Sequence, residues 1–249
     1  MFKRRVNPKY AYLQPFIDSI PHLFEENGET IYTGRNLIKV FDVDGLKVNV
    51  KRYGVPNIIN RFAYTFLRKP KGLRAFIYPS ILLERGVNTP ESIAYIEERK
   101  GGLIRYSYFI SVQSSYTSYL YEIGNLEVDE IKDLARSLAL FTADMHKKGV
   151  LHKDYSPGNI LCGMKDNQHD FTLVDINRMR FGDVSVEEGC ASFARLWGQP
   201  SLFKYLAEVY AKDRGADVDW CTERVFYYRT KFWKSFSKRK KIKYNLKYE

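Results

Sequence analysis

The residues best able to do chemistry lie in one stretch, His152-Lys153-Asp154-Tyr155-Ser156-Pro157-Gly158-Asn159-Ile160-Leu161. A carboxylate, Asp154, is followed five positions later by an amide, Asn159. Sixteen positions further on, Asp175 ends the apolar run Leu173-Val174. Phosphoryl transfer needs such a set. One carboxylate orients an attacking hydroxyl, while an amide and a second carboxylate hold Mg²⁺ on the phosphates of ATP. In a loose transition state the work of Asp154 is to fix the line of attack, and strong basicity is not required. Taken singly, Asp154 and Asn159 read as turn residues and Asp175 as a strand-end cap. Three such groups at these spacings, each beside apolar runs, favour the chemical reading.

Other residues complete the candidate set. Lys153 either screens charge on the transferred phosphoryl group or is a solvated loop residue. His152 reads as structural, bonding backbone near the metal loop. Lys51 closes the strand Val48-Asn49-Val50-Lys51, where a lysine can reach the α/β-phosphates. Gly34 would let the backbone approach phosphate. It is a weak signal, because no G-x-G-x-x-G occurs and Gly34-Arg35-Asn36 carries one glycine.

These residues need a scaffold. Residues 1–28 read as a basic lead-in broken by Pro8, Pro15 and Pro21. Strands follow over 29–53, with Asp44-Gly45 as a hairpin turn. Residues 57–86 read as helix in two pieces, separated near Lys69-Pro70-Lys71-Gly72. Two more strands cover 92–96 and 103–112. Residues 127–148 are the clearest helix, with Leu134, Leu138, Phe141 and Met145 at helical steps and Gly149 as its stop. Strands follow the chemical stretch, around Ile160-Leu161 and residues 171–174, and 185–236 is mostly helical. Strands first and helices later, with a polar connector at 113–117, predict an α+β chain of two lobes. The domains are then the lead-in 1–28, a small β-rich N-lobe over 29–113 that binds nucleotide, a larger α-helical C-lobe over 114–236 with the catalytic loop, and a basic tail over 237–249.

Composition narrows the class. Of the 249 residues 45% are hydrophobic and 28% charged, which excludes general disorder. The basic start Met1-Phe2-Lys3-Arg4-Arg5 has no apolar stretch behind it, so no secretion signal is read, and no span long enough for a membrane helix is seen. Cys162, Cys190 and Cys221 lack metal-ligand spacing and predict reduced thiols in a cytoplasmic protein. The net charge is +11, and residues 229–249 hold nine Lys or Arg against one Glu. That tail predicts an anionic partner, a membrane surface or phosphorylated saccharide. Nucleic acid is not expected, since no recognised binding motif is present.

The wording of residues 149–161, with Val174-Asp175-Ile176-Asn177-Arg178, resembles the bacterial lipopolysaccharide kinases, the Kdo/heptose kinases of the protein-kinase-like superfamily. Leu82-Leu83-Glu84-Arg85-Gly86-Val87-Asn88-Thr89-Pro90-Glu91 resembles the family's segment after the small-lobe helix. The resemblance covers roughly residues 30–225. It implies a two-lobed protein-kinase-like fold with Asp154 as base, Asn159 and Asp175 as metal ligands, Lys51 as the phosphate-binding lysine, and Val112-Gln113 as the hinge that holds adenine. It further implies ATP and Mg²⁺ as cofactors, a lipopolysaccharide precursor or other sugar as acceptor, and work at the inner face of the cytoplasmic membrane.

The chain departs from protein kinases. Lys153 stands where many have Arg, and Ile176-Asn177 stands where they have Phe-Gly. Protein kinases pair the strand lysine with a mid-helix Glu. Residues 62–83 contain no acid, so Glu84 is the nearest candidate. After Asp175, 249 − 175 = 74 residues remain, and no Ala-Pro-Glu follows. Both facts disfavour a regulated protein kinase. The expected function is transfer of the γ-phosphoryl group of ATP to a sugar hydroxyl of the lipopolysaccharide inner core. The alternatives are a protein kinase-like enzyme, an aminoglycoside-type phosphotransferase, for whose cationic acceptors a +11 chain is poorly suited, and a weak pseudokinase or nucleotide-binding scaffold.

Overall fold

The computed structural model describes residues 1–242 and 246, with Glu122 described by its backbone alone. The chain forms two compact units, Met1–Ser115 and Tyr116–Glu249.

The first unit is built on strands β1 (Phe2–Val6), β2 (Glu29–Thr33), β3 (Asn36–Val43), β4 (Leu46–Tyr53), β5 (Ser92–Lys100) and β6 (Leu103–Val112), with helices α1 (Gln14–Leu23), α2 (Ile58–Phe62) and α3 (Lys71–Glu84). The strands form one antiparallel sheet in the order β1-β5-β6-β4-β3-β2. Asp44 and Gly45 both take positive φ (53° and 83°), the two-residue turn that Asp-Gly favours between twisted strands. Alternation along β4 sends Val48 and Val50 into a core with Ile17, Ile20 and Phe24. Lys51 falls on the opposite face, with Asn49 and Tyr53.

The structure differs from the expected lead-in. Residues 1–28 are part of this unit. Phe2–Val6 pairs with β5, and α1 buries Ile17 and Ile20 completely in the core. The prolines do not prevent this. Pro15 occupies the first turn of α1, where no backbone donor is needed, and Pro8 starts a short 3-10 turn capped by Asn7.

The second unit holds β7 (Ser118–Tyr119), α4 (Lys132–Lys147), β8 (Val150–His152), β9 (Ile160–Lys165), β10 (Gln168–Leu173), β11 (Met179–Phe181), α5 (Val186–Ser192), α6 (Pro200–Arg214) and α7 (Val218–Ser237). Its strands make two small sheets, β10-β9-β7 and β11-β8. A capping box between Glu127 and Glu130 precedes α4, and Gly149 with φ 68° follows it. The buried stripe of α4 runs through Ala135, Leu138, Ala139, Thr142, Ala143 and His146. Leu134 and Phe141, expected at its centre, lie at its edge, because alanines let the neighbouring elements approach closely.

The expected tail is divided. Arg229 is fully buried, donates to the Gly198 carbonyl at 2.8 Å and lies over the Phe203 ring. Trp233 donates to the Leu196 carbonyl. Both belong to the core of α7. Lys238 to Lys241 are exposed, while Lys243 and Lys247 lie outside the described residues. The three cysteines are free thiols.

Candidate active site

In the second unit the chemical stretch is a loop between β8 and β9, held at both ends. Lys153 donates its backbone N–H to the Arg178 carbonyl, next to the β8–β11 ladder, and Val174 donates to the Asn159 carbonyl (each 3.0 Å). Burial lowers the pKa of His152, and its hydrogen bonds define the neutral tautomer. Nδ1 accepts the backbone N–H of Asp154 at 3.1 Å, so Nε2–H donates to the Val174 carbonyl at 3.2 Å. One imidazole thus ties the Asp154 loop to the strand that leads to Asp175, the structural role expected for it. Below it, Tyr155 is buried with its hydroxyl against Thr142 of α4.

Two guanidinium groups aim the Asp154 carboxylate. Arg195 lies 3.0 Å from Oδ1 and Arg178 3.1 Å from Oδ2. Arg195 is itself held over the Phe232 ring, 4.9 Å from its centroid, so α7 supports a group aimed at the loop. Each carboxylate oxygen has two lone pairs, so Asp154 can still accept a hydrogen bond from a hydroxyl. Sequence reasoning missed these arginines. Arg178 stands three positions after Asp175 and could have been suspected. Arg195 sits in a 3-10 turn, Phe193–Arg195, without any motif around it.

Asn159 donates its amide N–H to the Asp154 carbonyl at 2.8 Å, which commits the nitrogen and turns the amide oxygen the other way. Asp175 takes the left-handed conformation (φ 51°, ψ 41°), which costs a non-glycine residue energy and which aspartate tolerates better than most. Asn177, one of the residues standing where protein kinases have Phe-Gly, donates to Asp175 Oδ1 at 2.6 Å. Its own buried Oδ1 has no hydrogen-bond partner among the described residues. Hard oxygens at Asn159 and Asp175, with an unsatisfied oxygen beside them, fit Mg²⁺. Among the described residues no group of three or more His, Cys, Asp or Glu could hold a metal ion. The Lys153 ammonium is exposed and forms no ion pair with a described residue, which leaves both expectations for it open.

The remaining candidates sit on the sheet of the first unit. Lys51 lies between Ile38 of β3 and Phe109 of β6, with Nζ 5.2 Å from the Tyr53 ring centroid. Asn49, on the same face, donates to Gln113 Oε1 at 2.7 Å. Glu84 ends α3, exposed, and makes no ion pair among the described residues, so it is not the partner of Lys51. Gly34 lies in the β2–β3 connection, where the nearest atoms a Cβ would meet belong to the exposed Tyr32 ring. Packing alone therefore does not demand glycine there. Val112 donates its N–H to the Glu91 carbonyl and Gln113 to the Lys47 carbonyl. Both N–H groups are therefore engaged within the first unit.

A family model, Lipopolysaccharide kinase (Kdo/WaaP) family, matches residues 28–185, more than half of the chain. The chain belongs to this family. Its members are phosphotransferases that act on a sugar hydroxyl. Two solved structures share the protein-kinase-like fold. One is WaaP in complex with acyl carrier protein, 15% identical, with TM-score 0.60 over 95% of this chain and 98% of that one. The other is an aminoglycoside-3'-phosphotransferase of type VIII, 12% identical, with TM-score 0.57 over 88% and 99%. No curated protein matches. The family membership makes this chain a kinase with an alcohol acceptor, and both likenesses agree with it on the fold.

Proposed function

We propose that this lipopolysaccharide kinase uses ATP and Mg²⁺ to phosphorylate a hydroxyl of an inner-core sugar, Kdo or heptose, at the cytoplasmic face of the membrane. The observation that carries this reading is the Asp154 carboxylate, gripped on both oxygens by Arg178 and Arg195. Asp154 accepts the hydrogen bond of the acceptor hydroxyl and fixes its line of attack on the γ-phosphorus. As the O–P bond forms and the bond to ADP breaks, the hydroxyl proton passes toward the carboxylate. Asn159 and Asp175 hold Mg²⁺, which when bound neutralises charge on the phosphate oxygens. Asn177 and His152 keep the two ligands in register. Lys51 pairs with the α/β-phosphates, the Gly34 turn gives them room, and Lys153 faces the charge that develops on the transferred group.

The charges around Asp154 support this acceptor. Arg178, Arg195 and Lys153 are three cations within or beside the loop, and they suit a sugar that carries carboxylate or phosphate. A cationic aminoglycoside would be repelled there, which separates this reading from the second structural likeness. The exposed run from Lys238 to Lys241 adds attraction to an anionic glycolipid surface. No helix among the described residues is long and apolar enough to cross a membrane.

The test is transfer of labelled phosphate from ATP to Kdo- or heptose-bearing lipid A. Protein that binds ATP but labels no such acceptor, or that labels an aminoglycoside instead, would sink the substrate assignment.

A further inference from the structure

The segment from Ile58 to Lys69 in the first unit is amphipathic the wrong way round. Helix α2 runs directly into a π-helical turn, Ala63–Leu67. Two of its polar side chains, Arg61 and Thr65, face the protein. Arg61 Nε donates to the Ile104 carbonyl at 2.8 Å, and Thr65 Oγ1 accepts the Ile104 N–H at 3.1 Å. Its apolar side chains face solvent, with Ile58, Ile59, Phe62, Phe66 and Leu67 between 55% and 77% exposed. The Phe62 and Phe66 rings meet at a tilt, with centroids 4.9 Å apart, and both are exposed. A folded chain pins a helix by its apolar side unless that side has another destination.

The neighbouring charge identifies the destination. Phe66 and Leu67 line a groove of about 600 Å³ together with Arg68, Lys69, Lys3 and Arg5. No described carboxylate forms an ion pair with any of these four cations. The one acid on the groove wall, Glu97, is buried, with its two oxygens taken by the Tyr95 hydroxyl and Arg99, and Arg4 is bridged to Asp18. A second copy of the chain would bring cations against cations. An anionic bilayer offers phosphate to the groove and hydrocarbon to the exposed ring and aliphatic groups.

We infer that the α2–π segment is an interfacial anchor that lays Ile59, Phe62, Phe66 and Leu67 into an anionic lipid surface, with headgroup phosphate in the Lys3–Arg5–Arg68–Lys69 groove. The anchor lies in the interface and does not span it. This goes beyond the kinase reading and does not depend on it, since vesicle binding is read without ATP or a sugar acceptor.

The experiment is sedimentation of the full chain with vesicles of phosphatidylcholine alone or mixed with phosphatidylglycerol. The native chain should partition about tenfold or more in favour of the anionic vesicles. The variant Ile59→Asn/Phe66→Asn/Leu67→Asn should lose about tenfold of that binding while keeping its nucleotide-induced thermal shift. In a second, independent variant, Phe66→Trp, the emission of the added indole should shift to the blue on anionic vesicles. The inference is overturned if the triple variant binds as the native chain does, or if the emission of Phe66→Trp does not move. It is also overturned if only Lys238→Gln/Arg239→Gln/Lys240→Gln/Lys241→Gln abolishes binding, or if the native chain is a dimer that the triple variant dissolves. Capture of an acidic protein in place of vesicles would equally overturn it.

Discussion

Asp154 is a carboxylate whose direction is set by its neighbours. Arg178 and Arg195 each take one oxygen, and the Phe232 ring under Arg195 keeps that guanidinium from swinging away. Arg195→Ala should therefore lower kcat by about tenfold or more with little change in the KM for ATP, because the loss falls on orientation of the acceptor. Arg195→Lys should recover little, since an ammonium cannot reproduce a planar guanidinium resting on a ring. Steady-state kinetics against both substrates checks this, and a matched rise in the KM for ATP would argue against it. Asn177 acts one step further out, through Asp175. Asn177→Ala should weaken apparent Mg²⁺ affinity about 10–100-fold, read from activity titrated with metal.

The elements carry these side chains by packing that the sequence reveals unevenly. Helix α1 is the clearest test. Ile17 and Ile20 are fully buried against the sheet, so Ile20→Ala should cost about 2–5 kcal/mol in denaturant unfolding of the first unit. In a loose lead-in the same change would cost about 0.5 kcal/mol or less. Alternation exposes β3 and β4, the Asp44-Gly45 turn and the helical period of α4, because those signals are local. It conceals α1 and β1. Three prolines mask a helix whose first turn can accept one, and the pairing of β1 with β5 joins residues about ninety apart in sequence, which no local pattern reports. The same limit applies to the site. The spacing of Asp154, Asn159 and Asp175 is a short-range signal and is readable. The aim of Arg195, set by a ring on α7, depends on tertiary packing and is not. Composition misleads at Arg229, which its basic neighbours assign to the tail although burial makes it a core residue.

At the scale of the whole molecule, two buried histidines tie stability to pH. Burial, with Arg214 and Arg180 adding to it, lowers His146 to about 3, and burial also lowers His152. Unfolding returns both to an ordinary value near 6.5, so the unfolded chain takes up protons that the folded chain refuses. Stability of the second unit is then full above about pH 6.5. It falls as pH drops below that value, by ~1.4 kcal/mol per pH unit for each histidine, and for His146 the fall runs toward about pH 3. His146→Gln should remove its share of that slope in urea titrations at pH 7, 6 and 5. An unchanged slope would show that the imidazole already titrates in the folded state. The net charge of +11 acts on the molecule as a whole. It favours approach to anionic surfaces, and binding of the native chain to anionic vesicles should weaken steeply with added salt.

The central claim is that one carboxylate directs a sugar hydroxyl onto the γ-phosphate of ATP. The most direct measurement is phosphate transfer to Kdo- or heptose-bearing lipid A by the native chain and by Asp154→Asn, with nucleotide binding followed in parallel. The prediction is labelling of the glycolipid by the native chain, and a loss of about 10²–10⁴-fold in Asp154→Asn with nucleotide binding retained. Full transfer by Asp154→Asn, or none by a native chain that binds ATP, would contradict it.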